Sequence, residues 1–224
     1  MKIYKELQQG STPWLEIKHE KVGGSRLAKI MTKLDKSVRE CSEYYAILAE
    51  HMEDFDPFEV NFQNYQMIRG SEFEPLARKE YERIYGVKVE QYGWIQSDEI
   101  KIAGISPDGH IPELSKAIEI KCPSDNTHVM YMLNPAAFLE EYCWQIVHNF
   151  LVIGVKSVDG ISYRPENKIK PMLVIPTTKD TLIQISKKEC YPISYLVELA
   201  TKRLNELEIC IKEDLEILSK GNEF

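Results

Sequence analysis

The chain has 224 residues, 43% of them hydrophobic, a size that can bury one sizeable core and predicts a single domain over residues 1–224. No run approaches the roughly 20 apolar residues of a membrane span. The opening MKIYKELQQG also lacks the apolar centre of a secretory leader, so a cytoplasmic protein without membrane partners is expected. Its 28 Lys and Arg against 35 Asp and Glu leave a formal net charge of −7, which disfavours a surface coated evenly for nucleic acid without excluding a local basic groove.

The N-terminal part, to about residue 86, reads as helical. Ser11-Thr12-Pro13-Trp14 places a capping residue and a proline where a helix begins, and Gly23-Gly24-Ser25 interrupts it before Arg26-Leu27-Ala28 resumes. A third helix is expected from about Glu40 to His51, then an irregular stretch from Asp54 to Asn61. A longer helix is expected from about Asn64 to Tyr85, with Pro75 forcing a kink or a fresh start. Met67 reads as core packing on that helix.

A sheet core is predicted over about 87–176. Val87 to Ile95, Lys101 to Ser106 and Lys116 to Cys122 are short and rich in β-branched residues, and they are taken as antiparallel neighbours. Ala136 to Val155 returns to helical spacing, and strands follow near Val158 to Tyr163 and Lys170 to Pro176. From Asp180 to about 219 the pattern reads as a C-terminal helix with a leucine stripe. Helices before and after a central mixed sheet make an α/β fold.

Five cysteines, Cys41, Cys122, Cys143, Cys190 and Cys210, show neither zinc nor disulfide spacing and read as reduced packing residues. The five histidines likewise lack the mutual spacing of a metal site, and each reads as a surface or core residue. His148 and Trp144 have weaker alternative readings as groups near DNA.

One constellation carries chemistry. In the strand from Lys116 to Cys122, side chains alternate, so Glu119 and Lys121 share one face while Ile118, Ile120 and Cys122 share the other. Asp108 lies in a Pro-Asp-Gly turn, at the end of a strand expected to pair with this one. Two carboxylates at one locus suit Mg²⁺ or Mn²⁺, which take oxygen ligands and keep several waters, and the Ile120 carbonyl offers a further oxygen. Lys121 then sits where it can stabilise charge at a phosphodiester. On spacing alone, a turn aspartate and a solvated Glu–Lys pair explain the pattern equally well.

The wider sequence adds a resemblance. Ser106-Pro107-Asp108-Gly109 followed by Glu119-Ile120-Lys121-Cys122-Pro123 resembles the PD-(D/E)xK nuclease core, and in detail that of the lambda-type exonucleases or YqaJ-like viral recombinases. Gly70 to Arg78, with Glu74, is similar to that family's Gly-x-x-x-Glu-x-x-Ala segment. Tyr142-Cys143-Trp144-Gln145 is similar to its Tyr-x-x-Gln helix, and Trp14 to Ser25 to its N-terminal Trp and Ser element.

The resemblance implies a restriction-endonuclease-like core and a catalytic set of Glu74, Asp108, Glu119, Lys121 and Gln145, with metal on Asp108, Glu119 and the Ile120 carbonyl. It also implies a DNA 5′-phosphate pocket from Lys18, Ser25, Ser106 and Tyr142, with lysine at position 18 where the family typically has arginine. The implied activity is Mg²⁺-dependent 5′-to-3′ digestion of one strand of linear duplex DNA by a homotrimer. The 3′ single strand that remains would pass to a single-strand annealing protein. An end-independent endonuclease and a non-catalytic DNA-end-binding protein are the alternatives.

Overall fold

Local signals open the first helices where the sequence places them. In this computed structural model, which describes residues 1–32, 34–56, 65–186 and 189–220 and only the backbone at 65–67, Ser11 takes the N-cap position of helix α1 (Thr12–Lys18) without a side-chain capping bond. Gly23 precedes α2 (Gly24–Ile30), and α3 covers Ser42–Glu50. Helix α4 (Tyr65–Tyr85) runs through Pro75 without a fresh start. Residues 57–61 of the expected irregular stretch, the expected helix start at Asn64 and the Met67 side chain lie outside the described residues.

Among the described residues the strands form three sheets. Strands β1 (Lys2–Tyr4), β2 (Trp94–Gln96) and β3 (Gly104–Ile105) make a small antiparallel sheet. Strands β4 (Gly109–Ile111), β5 (Lys116–Lys121), β6 (Ser157–Tyr163) and β7 (Met172–Thr178) make a mixed sheet in that order. Strand β5 is parallel to β6, and the other two pairs are antiparallel. Parallel neighbours require a long crossover. Helices α5 (Asp125–Leu133), α6 (Pro135–Glu141) and α7 (Cys143–Ile153) supply it.

The mixed sheet is covered on both faces. Ile118, Ile120 and Ile161 pack with Ala77 and Tyr81 of α4, whereas Ala117, Val158, Leu173 and Ile175 join the larger core. That core includes Leu27, Ile146, Phe150, Leu196 and Leu204 from α2, α7 and α8 (Ile193–Lys220). The alternation along β5 is therefore buried on both sides, with Glu119 on the face of Ala117.

Three expectations are corrected. The strand before Asp108 does not pair with β5; β3 belongs to the small sheet, and the strand after Asp108, β4, is the partner. The single helix expected from Ala136 to Val155 breaks at Tyr142, whose φ of −106° and ψ of 17° leave helical geometry. Residues 182–192 form the hairpin β8 (Leu182–Ser186) and β9 (Glu189–Pro192), where a helix was expected. Its short Leu-Ile-Gln-Ile alternation was overridden by the leucine period that follows. Strand β1 and helix α5 were also missed, since three residues paired with a distant strand carry almost no local period.

Candidate active site

Gly109 sets the position of Asp108. A Cβ on Gly109 would lie 2.3 Å from Val89 Cγ1 and 2.8 Å from Ile118 side-chain atoms, so the backbone of β4 presses against β5 there. The β4–β5 ladder begins at Gly109↔Ile118. One residue earlier, Asp108 Oδ2 accepts a hydrogen bond from the Ile120 backbone N–H at 2.6 Å. The carboxylate thus occupies the place of the next ladder partner. Because residues of an antiparallel pair use N–H and C=O on one edge, the Ile120 carbonyl leaves β5 on the side of Asp108.

Glu119, buried on the adjacent strand position, accepts at Oε1 from Lys121 Nζ at 2.7 Å and at Oε2 from Asn149 Nδ2 at 3.1 Å. Glu74 on α4 accepts from Arg78 Nη2 at 2.5 Å, and Arg78 Nε donates to the Asp108 carbonyl at 2.8 Å. Arg78 therefore ties α4 to the Pro-Asp-Gly turn.

Charge is crowded here. Burial raises the Asp108 carboxyl well above its usual pKa, and the negative charges of Glu119 and Glu74 add to this against Lys121 and the Ile120 N–H. Burial also raises Glu74, opposed by Arg78 and Lys121. Burial works against the Lys121 cation, yet Glu119 and Asp108 outweigh it and raise its pKa. Three carboxylates, Asp108, Glu119 and Glu74, share two cations, Lys121 and Arg78, and the excess negative charge when all are ionised fits a divalent cation. Among the described residues no three His, Cys, Asp or Glu side chains are arranged to hold a metal. Asp108, Glu119 and the Ile120 carbonyl are oxygens that could hold one, a shell that would be completed by water.

One cavity of about 470 Å³ is lined by Asp108, Glu119, Lys121, Gln145, Ser106, Ser25 and Lys18. Glu74 and Tyr142 are not among its walls, although the Tyr142 ring centroid lies 5.0 Å from Lys121 Nζ. Lys18 Nζ lies 3.6 Å from the centre of the Trp14 ring. Burial, then the charge of Arg26, lowers its pKa to about 8. The Trp14 indole donates to Gly93 O and to Ser106 Oγ, and Ser106 in turn donates to Gly93 O at 2.6 Å. Ser106 spends its one hydrogen there. Ser25 is exposed at the start of α2.

Matched against protein families, residues 13–156 fit the YqaJ-like viral recombinase domain. The chain belongs to that family. The fold comparison agrees. An alkaline exonuclease (LHK-Exo) from Laribacter hongkongensis is similar over 94% of this chain and 97% of its own, with 23% identity and a TM-score of 0.74. The same exonuclease in complex with dAMP matches with 24% identity and a TM-score of 0.70, over 94% and 99% of the two chains. A phage-related exonuclease from Haemophilus somnus 129PT covers 89% and 97%, with 15% identity and a TM-score of 0.61. No curated protein matches the chain.

Within this YqaJ-like domain the α/β expectation holds: a mixed sheet flanked by helices, a fold shared with the Laribacter exonuclease. Two site neighbours escaped the sequence reading. Asn149 stands one turn beyond Gln145 on α7, the spacing of a shared helix face, and Arg78 ends the Gly70–Arg78 segment. Arg26, which lines the cavity, is neutralised by Glu43 and Glu50. Buried His148 bonds the Gly104 carbonyl, and burial lowers its pKa to about 4. Among the described residues no helix is long and apolar enough to cross a membrane.

Proposed function

We propose that this protein is a metal-dependent exonuclease that digests one strand of linear double-stranded DNA from the 5′ end. The observation that carries the reading is the meeting of Asp108, Glu119 and Lys121 with Lys18 and Ser25 in a single cavity. Acidic ligands suit a metal at a scissile phosphate, while a partly buried lysine suits a second, terminal phosphate. A 5′-phosphate bound there would set both end dependence and polarity.

Mg²⁺, or Mn²⁺ in its place, would be held by Asp108, Glu119 and the Ile120 carbonyl, and supplies activation of a water and neutralisation of phosphate charge when bound. The chain's own groups do the rest. Lys121, kept cationic by Glu119 and Asp108, stabilises negative charge on the phosphorane oxygens. Glu74, steadied by Arg78, takes a proton-bearing water at the edge of the site. Gln145 orients substrate from α7, and the Tyr142 ring shelves Lys121. Lys18 and Ser25 bind the end of the strand, and Ser106 joins them only by turning its hydrogen away from Gly93 O, with Lys18 as a point charge where arginine would grip in two places.

Resemblance alone supports the further reading that three copies ring the DNA and that the 3′ strand is delivered to a single-strand annealing protein. The deciding experiment is strand-labelled digestion of 5′-phosphorylated linear duplex in Mg²⁺, with a covalently closed circle as control. Loss of label from the 5′ end, with the circle untouched, is expected. Rapid cutting of the circle would favour an endonuclease, and tight binding without cutting would favour a non-catalytic end-binding protein.

A further inference from the structure

The α7 helix buries one amide beside the candidate metal ligands. Asn149 is 0% exposed among Ile146, Val147, Phe150 and Ile153, which are apolar and buried. Its Nδ2 donates both hydrogens, one to Glu119 Oε2 at 3.1 Å and one to the Gln145 carbonyl at 3.0 Å. Those two acceptors settle the orientation of the amide, because turning it over would set its oxygen against both. The oxygen Oδ1 is then buried with no partner. Packing offers no reason for an amide at this position, since an apolar residue would fill it without stranding a polar atom.

The Glu119 carboxylate explains the amide. Lys121 holds Oε1 and Asn149 holds Oε2, so the plane of the carboxylate is fixed from two sides by groups on β5 and α7. Asn149 is the donor that the described residues give to Oε2, so without it that oxygen would lose its anchor. We infer that Asn149 is a positioning residue for the cleavage reaction, anchoring Glu119 through the Gln145 turn of α7 and so setting the affinity of the site for its divalent ion. This rests on the nuclease reading above. The partners of metal ligands generally matter in this way: their loss costs about 10- to 100-fold in metal affinity or activity.

The test uses Asn149→Leu, with Asn149→Ala as a second variant should the bulkier one fail to fold. Mn²⁺ alone is titrated calorimetrically into DNA-free protein, melting temperature is recorded in chelator, and single-turnover cleavage is followed over a range of Mn²⁺. The expected result is a Kd for Mn²⁺ raised about tenfold or more. Asn149→Leu should melt near the wild type, because the stranded oxygen is gone. Cleavage should recover towards wild type at high Mn²⁺, with KM for DNA unchanged. Variants that bind Mn²⁺ as the wild type does, whether or not they melt lower, would overturn the inference. A wild type that neither binds Mn²⁺ nor cuts DNA would instead bring down the nuclease reading itself.

Discussion

Asp108 closes the β4–β5 hairpin by accepting the Ile120 backbone N–H at 2.6 Å, so one carboxylate both ends a ladder and stands beside Glu119. The bond favours the charged form of Asp108, while burial and the neighbouring carboxylates oppose it more strongly. Ionising the residue in the fold therefore costs stability, and that cost falls away when a cation is bound.

Asp108→Asn should therefore abolish cleavage with little loss of DNA binding, yet melt above the wild type in chelator at pH 8. The sign follows from the raised folded-state pKa: ionisation disfavours the fold, so the penalty is absent below the ordinary value of 3.8 and grows as pH rises through the folded value. Melting curves from pH 4 to pH 8 check this, and Mg²⁺ should stabilise only the wild type. A variant that melts lower than wild type at pH 8 would contradict it.

Lys121→Ala should lower single-turnover cleavage by about 10²-fold or more, the usual effect of deleting a preorganised transition-state donor, while the Kd for DNA stays near wild type. Because its pKa is raised, Lys121 stays charged through the alkaline range, so an alkaline fall in activity must come from another group. Near-normal turnover in the variant would remove Lys121 from the chemistry.

Lys18, unlike Lys121, loses its charge within the working pH range. With its pKa near 8, lowered chiefly by burial, its charge is present at pH 7 and lost as pH rises past that value. The preference for 5′-phosphate over 5′-hydroxyl ends, read as a ratio of kcat/KM values, should be greatest near pH 7 and shrink above pH 8. Lys18→Arg should hold the preference to higher pH, and Lys18→Ala should flatten it. A preference indifferent to both substitutions would take Lys18 out of the pocket.

Gly109→Ala should destabilise the protein by about 1–3 kcal/mol, the range for forcing a methyl into a packed core, because its Cβ meets Val89 and Ile118 at 2.3 and 2.8 Å. Chemical denaturation measures the loss. Activity should fall further than the folded fraction does, since any shift of β4 moves Asp108. Unchanged stability would mean that Val89 and Ile118 give way freely.

What the residue order determined by itself is local. Alternation along Lys116–Lys121 placed Glu119 and Lys121 on one face, and Ser11, Pro13 and Gly23-Gly24 marked the ends of two helices. Linear motifs could also nominate Glu74, Gln145, Lys18 and Ser25 by resemblance. Tertiary structure alone decided which strand pairs with β5, that Arg78 bridges Glu74 to the Asp108 backbone, that Trp14 spends the acceptor of Ser106, and that Asn149 grips Glu119. The reason is physical: propensity and period act over a few residues, whereas these bonds join residues 4 to 92 positions apart, and the shortest of them depends on how α4 is packed against the sheet.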